Sequence, residues 1–138
     1  MASGIYNRYK ANLMNKEVDM EADTIKCALL SSSHSFNADN NTWSDISANE
    51  ISGTGYTAGG ASLANKSVTQ DNTNDKAKFD ADNVTWSNAT ITAHYAVLYD
   101  DTLTNDDLIA CFDFGSDKSS SSGNFTIEWD SNGIIELS

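Results

Sequence analysis

The stretch ITAHYAVLYDDTLTNDDLIACFDF, residues 91–114, decides the fold. It contains two apolar runs that are rich in β-branched and aromatic residues, as β-strands are. From Tyr95 to Tyr99 the odd and the even positions are all apolar, so neither face of that strand is polar. A strand that is apolar on both faces is buried on both sides. We therefore predict an antiparallel pair at the centre of a sheet, with the acidic connector Asp100 to Asp107 outside the core.

Shorter strand-like segments lie on both sides of this pair. The segments predicted to be strands are residues 24–31, 63–70, 76–81 and 83–87, with Phe79, Val84 and Trp86 as inward residues. Ser, Thr, Asn and Asp dominate the sequence between them and favour turns. The predicted fold class is therefore all-β: an antiparallel, jelly-roll-like β-sandwich with one short N-terminal α-helix. At 138 residues the chain is expected to be a single domain over residues 1–138.

The clearest local signal is a hairpin that follows a serine-rich loop at residues 116–124. Phe125 to Trp129 alternates apolar and polar residues, and Asn132-Gly133 is a turn sequence. A three-residue loop with Gly133 in the left-handed conformation of a G1 bulge sets Trp129 opposite Ile135. That register gathers on one inward face Phe125, Ile127, Trp129, Ile135 and Leu137.

A single helix is predicted before the first strand, over residues 3–16. Ser3 can cap it, and apolar residues recur every four positions from Ile5 to Leu13. The polar face of this helix carries Arg8, Asn12 and Lys16. Two interpretations stay open: the helix covers an open edge of the sandwich, or it presents a basic arm to an acidic neighbouring subunit.

Charge is distributed unevenly along the chain. The net charge is −12, and every acidic residue lies at or beyond Glu17, so the segment before it carries +3. An acidic body repels nucleic acid, so we expect no nucleic-acid partner. The first residues lack the apolar region of a signal peptide, and no run approaches the roughly 20 apolar residues of a membrane span. We therefore expect neither secretion by a signal peptide nor a membrane partner.

The two cysteines, Cys27 and Cys111, alternate with core-type residues. Two buried free thiols are the favoured interpretation, and a disulfide between neighbouring strands is the alternative. No His or Cys stands at the spacing of a metal site, and the Asp- and Asn-rich turns lack the closing Glu of a calcium loop. We expect no metal and no cofactor.

No catalytic constellation stands out from this composition. His34 and His94 are the only histidines, and serines and aspartates are so abundant that a Ser/His/Asp set carries no information. No GxSxG nucleophile motif occurs, and His94 is expected to be structural. The chain is not expected to be an enzyme. Trp43, which lies among polar residues, is the tryptophan expected to be exposed, whereas Trp86 and Trp129 alternate with core residues.

The glycine-rich stretch from Gly53 to Gly60 matches neither a P-loop nor a dinucleotide-binding fingerprint, because no such motif follows a strand. Glycines there are expected to mark bulges or close approaches of two backbones. Their small size also makes the stretch a candidate for contact with another protein's backbone.

Taken in order, the segments form a distinctive succession. A helix with tyrosine and lysine precedes DTIKCALL (23–30), and then follow DISANEISGTGYTAGG (45–60), FDADNVTW (79–86), AVLYDD (96–101) and LIACFDF (108–114). This succession covers nearly the whole chain and resembles a family of small structural proteins encoded in the virion modules of tailed bacteriophages. In that family an aliphatic or aromatic residue is usual where Cys27 and Cys111 stand, which implies that both are core substitutions.

The resemblance implies a capsid decoration, or cement, protein on the outer capsid surface of a virion. Such proteins often are β-sandwiches that trimerise on the shell, so the expected partners are the major capsid protein and further copies of this chain, as a homo-oligomer. The candidate contacts are Arg8, Lys10, Lys16, Gly53, Gly55, Tyr56, Gly59 and Gly60. A neck or tail component of the same virion is an alternative, and a carbohydrate-binding module that uses Trp43 is another.

Overall fold

Three antiparallel β-sheets and one α-helix make up the computed structural model, which describes residues 3–138. Strands account for 44% of the chain and helices for 10%, which confirms an all-β sandwich with a short N-terminal helix. The elements are β1 (Gly4–Ile5), α1 (Asn7–Met14), β2 (Ile25–Leu30), β3 (Ala61–Ser62), β4 (Ser67–Asp71), β5 (Lys76–Asp80), β6 (Val84–Ala89), β7 (Thr92–Asp100), β8 (Asp107–Ser119), β9 (Gly123–Ile127) and β10 (Ile135–Leu137).

The central pair of strands is present as the sequence predicts. The largest sheet has the order β1-β8-β7-β2-β3, so β7 lies in the middle of five strands and pairs with β2 and β8. Its even-numbered residues Ala96 and Leu98 belong to one apolar cluster, and Tyr95, Val97 and Tyr99 belong to another on the opposite face. The two-faced apolar pattern therefore reflects burial on both sides.

The two faces of this sheet are covered by different material. One face packs against residues of the three-stranded sheet β10-β5-β4 and of the two-stranded sheet β6-β9, including the predicted inward residues Phe79, Val84 and Trp86. The other face is covered by Tyr6 and by the segment after β2, through Phe36, Trp43 and Ile46. This segment contains short 3-10 helices at Trp43–Asp45 and Ser47–Asn49.

The helix is shorter than predicted at its beginning. It runs from Asn7 to Met14 instead of over residues 3–16, and Tyr6 is its N-cap. Ser3 does not cap it, since the Ser3 hydroxyl accepts a hydrogen bond from the Asp113 backbone amide at 2.7 Å. Gly4 and Ile5, between Ser3 and the helix, form β1, which pairs with β8 and is an edge strand of the five-stranded sheet. Backbone pairing with a sheet edge therefore prevails over a local capping signal.

The predicted C-terminal hairpin is wrong in its pairing. The turn exists: the Gly133 amide donates to the Asp130 carbonyl at 2.9 Å, and Gly133 has φ +104°. Its two strands, however, enter different sheets, because β9 pairs with β6 and β10 pairs with β5. Both arrangements bury Phe125, Ile127 and Ile135, so alternation alone could not choose between them. Leu137, predicted to face the core, is 62% exposed.

Three other boundaries differ from expectation. Only the second half of the predicted strand at 63–70 is a strand, as part of β4, and the buried Leu63 lies in the connection between β3 and β4. The serine-rich segment is mostly ordered strand, because β8 continues to Ser119 and β9 begins at Gly123. The connector is not wholly outside the core, since its two end residues Asp100 and Asp107 are buried.

Candidate functional site

Arg8 belongs to a contact inside the chain. Its Nε donates to Asp107 Oδ2 at 3.0 Å, and the side chain of Asp107 is only 9% exposed. Asn12, expected on a solvent face, is buried and donates through Nδ2 to the same oxygen at 2.8 Å. Two positions of the predicted basic arm thus fix α1 to the beginning of β8.

The other two basic candidates remain at the surface. Lys10 and Lys16 are both exposed, and no ion pair between residues 3–138 includes either of them. Lys16 follows the helix C-terminus in a left-handed conformation, with φ +62°. The structure therefore separates the arm into an internal part, Arg8, and a free part.

The glycine-rich stretch approaches the backbone of its own chain. A methyl group on Gly60 would overlap the carbonyl oxygen of Cys27, and one on Gly55 would lie 2.7 Å from the Ala89 Cα. A methyl group on Gly53 would lie 2.6 Å from the Thr90 carbonyl oxygen. The expectation of close backbone approach is correct, but the neighbouring backbones are β2 and the end of β6. These glycines are accordingly explained without an external partner.

Tyr56 and Gly59 are also engaged internally. The Tyr56 hydroxyl donates to Glu50 Oε2 at 2.7 Å and accepts from the Leu29 amide at 3.0 Å. The same Glu50 oxygen accepts from the Gly59 amide at 2.7 Å, and the Gly59 carbonyl accepts from the Tyr99 hydroxyl at 2.6 Å. Burial raises the pKa of Tyr56 far above its usual range. This network fastens residues 50–60 to the large sheet.

A groove that the sequence does not reveal lies between α1 and the three-stranded sheet. We call it the α1–β5 groove; its volume is about 270 Å³. Its lining is mainly apolar and includes Tyr9, Leu13, Met20, Val68, Phe79 and Ile135. Lys10 and Lys78 also line it, together with Glu136, which accepts from Lys76 Nζ at 2.9 Å.

Large apolar side chains are exposed around this groove. Val68 and Leu137 line it and are 47% and 62% exposed, and Met14, next to the lining residue Leu13, is 85% exposed. These three are the exposed large hydrophobic residues among residues 3–138. An alternating pattern of apolar residues does not distinguish the core from a surface patch, so this site could not be predicted from the sequence.

A buried carboxyl group lies at the end of β7. Asp100 is fully buried; its Oδ1 accepts from the Thr102 amide at 3.0 Å, and its Oδ2 has no backbone or amide donor. Burial, and then the nearby carboxyl of Asp23, raise the pKa of Asp100 from 3.8 to about 7. Asp100 is therefore largely protonated below neutral pH, unlike an ordinary carboxyl group.

His94 joins β7 to β8. Its Nδ1 lies 2.8 Å from Asp117 Oδ1 and its Nε2 lies 3.3 Å from Asp113 Oδ1. The pairing register of the two strands shifts between Ala93 and Tyr95, so His94 spans an irregularity in the ladder. Both nitrogens donate only in the imidazolium form. The arrangement fits the structural role that the sequence predicts.

Neither a metal centre nor a membrane-spanning helix is found within residues 3–138. No group of three or more His, Cys, Asp or Glu side chains there could hold a metal ion. None of the helices in that range is long and apolar enough to cross a bilayer. Comparison with family models, with curated proteins and with solved structures gave no match.

Proposed function

We propose that this chain is a structural protein of a tailed-phage virion, which binds the outer capsid shell and stabilises it by clamping adjacent major capsid protein subunits. The observation that carries the proposal is the α1–β5 groove, an apolar surface bordered by Lys10 and Lys78 on an otherwise acidic chain. Exposed apolar patches of this kind mark surfaces that associate with other proteins, which in an assembled shell include both capsid subunits and further copies of the same chain. The succession of segments that resembles phage virion proteins supplies the class of partner.

The mechanism is binding without chemistry. Each copy contributes a modest contact to the shell, and copies arranged with the symmetry of the lattice bind with higher avidity than one copy alone. A protein that bridges two subunits opposes their separation when packaged DNA presses outward. The acidic body suits an outward position, because it is repelled by nucleic acid.

The test is reconstitution on shells of the encoding phage from which this protein has been removed. Purified protein is added, the shells are sedimented, and bound copies are counted by quantitative mass spectrometry. Saturation at hundreds of copies per particle supports the head, whereas about a dozen copies supports the neck or tail alternative. Absence of any bound protein at saturating concentration overturns the proposal.

A second candidate function rests on Trp43. Its indole stacks on the Tyr99 ring, with centroids 4.8 Å apart and planes inclined by 12°. A shallow depression of about 340 Å³ beside it is lined by hydroxyl, amide and carboxyl groups, from Thr42, Ser44, Ser47, Thr104, Asn105 and Asp106. An aromatic ring among such groups suits a sugar, which presents both apolar and hydroxyl surfaces.

A glycan array tests this second candidate. Binding that is lost in Asn105→Ala and in Trp43→Ala, with the fold of both variants checked by circular dichroism, supports it. Asn105 is exposed, so its substitution leaves the Trp43–Tyr99 stack in place and provides the cleaner variant. An array without reproducible binding removes the carbohydrate function.

A further inference from the structure

The α1–β5 groove has a protruding apolar side chain at its edge. Met14 follows Lys10 by four residues on α1, and residues four apart lie on the same side of a helix. Lys10 and Leu13 line the groove; Met14 does not line it, but the helical spacing places it beside these residues, and its side chain is 85% exposed. An unbranched thioether adapts to irregular apolar cavities. One face of the molecule thus carries both a projection and a hollow.

The charges around this face differ from those of the chain as a whole. The groove and an adjoining hollow are lined by three lysines and four carboxylates, namely Lys10, Lys16, Lys78, Glu17, Asp19, Glu21 and Glu136. Their net charge is −1, whereas the chain carries −12. Two copies of so acidic a chain repel each other in most orientations. At this face the repulsion is smaller than the net charge of the whole chain implies.

Unpaired charges of both signs are also present there. Within the described part of the chain, none of the ion pairs includes Lys10, Lys78 or Glu17. A second copy would offer carboxylates to the lysines and lysines to the carboxylates, because the same surface carries both. A uniformly acidic or basic partner would leave one set unmatched. The charge pattern therefore favours a second copy of this chain as the occupant.

We propose that the α1–β5 groove is a self-association surface, in which Met14 of one copy enters the groove of another. The projection and the hollow lie on one face, so two copies can exchange them reciprocally. This inference deepens the proposed function, since it names the surface through which copies on a shell would contact one another. It rests on that function only for its biological setting.

Sedimentation velocity over a concentration series tests the proposal on the purified chain. We expect wild-type protein to associate reversibly and Met14→Lys to weaken association about tenfold or more. Met14→Lys changes the net charge from −12 to −11 and so reduces the general repulsion between copies. A weaker association of this variant must therefore come from the altered surface beside the groove. Leu137→Lys, at an exposed position of the groove lining, should act in the same direction.

The matched control is Ser121→Lys, which makes the same charge change at an exposed loop residue outside the groove. It should leave association unchanged. A wild-type chain that stays monomeric up to about 500 µM overturns the proposal, and so does association that Met14→Lys leaves intact.

Shell binding is measured separately, on particles. If the wild type is monomeric and Met14→Lys instead abolishes shell binding, the groove takes a capsid segment and self-association is rejected. If copies associate through the groove but never bind shells, the virion function fails and this inference stands.

Discussion

Cys27 and Cys111 lie on opposite faces of the same five-stranded sheet. Cys27, on β2, belongs to the apolar cluster shared with the smaller sheets, and Cys111, on β8, belongs to the cluster under the loop segment. The central strand β7 separates their backbones, because Cys27 pairs with Leu98 and Cys111 pairs with Val97. Both are free and buried, so the disulfide alternative is wrong and the prediction of two buried thiols is confirmed.

This placement predicts inert thiols. Burial raises the pKa of Cys111 to about 12 and that of Cys27 further still. We expect an aromatic disulfide reagent at pH 8 to react with native protein at least about 100-fold more slowly than with unfolded protein, where both thiols should react. Fast reaction of one thiol in the native state would contradict the burial.

Asp100 predicts a stability that falls as pH rises. Its folded pKa, about 7, lies above the value near 3.8 of an unfolded chain, so the folded state binds the proton more tightly. The contribution of this proton to the free energy of unfolding is therefore fully present below about pH 4 and is lost between about pH 4 and 7. Above about pH 7 it changes little. Denaturant unfolding at several pH values measures this slope.

The substitution Asp100→Asn tests the same carboxyl. The asparagine oxygen can still accept from the Thr102 amide. Its amide group replaces the unpartnered Asp100 Oδ2 and can donate to the nearby Asp23 carboxyl. It should raise the free energy of unfolding at pH 8 by roughly 1–3 kcal/mol and flatten the slope. A variant less stable than wild type at pH 8 would show that the Asp100 carboxylate does not destabilise the folded state.

Gly60 and Gly115 form a matched pair for a backbone prediction. Both have positive φ, +84° and +81°, but a methyl group on Gly60 would overlap the Cys27 backbone while one on Gly115 meets open space. Gly115→Ala should cost about 1 kcal/mol for the left-handed conformation alone. Gly60→Ala should cost about 3 kcal/mol or more, since strands β2 and β3 must separate. Equal costs, measured by chemical denaturation, would refute the close approach.

The Arg8 and Asn12 contacts with Asp107 predict stability effects, not binding effects. Asp107→Ala leaves the buried Asn12 amide without its acceptor and should cost about 2–3 kcal/mol. Arg8→Ala should cost about 1 kcal/mol or less, because the Arg8 side chain is 43% exposed. Thermal unfolding of both variants makes the comparison, and a larger loss from Arg8→Ala would reverse the assigned roles.

Charge reversal of the basic segment must therefore omit Arg8. The double variant Lys10→Glu, Lys16→Glu alters only exposed side chains and should change stability by about 0.5 kcal/mol or less. If the free lysines contact the shell, this variant should lower shell occupancy at moderate salt. Lys66→Glu with Lys118→Glu, two lysines outside α1, is the control. Equal occupancy for wild type and both variants would remove the segment from the binding model.

The sequence predicted the features that depend on one strand's own surroundings. Residues 95–99 are apolar at both odd and even positions, which predicts burial on both faces. The buried free thiols were predicted in the same way, because Cys27 and Cys111 alternate with core-type residues. Choices between competing partners were not predictable. Gly4 and Ile5 could join a helix or a sheet edge, and β10 could pair with β9 or with β5, with similar burial in each case. The α1–β5 groove was not predictable, because the sequence pattern around the exposed Val68 is the same as that around a core valine.

The separation of β9 from β10 bears on how the chain folds in time. The turn at Asp130–Gly133 cannot start folding by closing a local hairpin, because its strands find partners far away; Lys76 and Glu136, for example, are 60 residues apart. The contact of Ser3 with Asp113 spans 110 residues. Long loops must close, at a cost in chain entropy, before these contacts can stabilise the fold. Two-state folding is therefore slowed to about milliseconds to seconds. During synthesis, one edge of β5 in the β5–β4 pair stays unpaired until residues 135–137, which form β10, have been made.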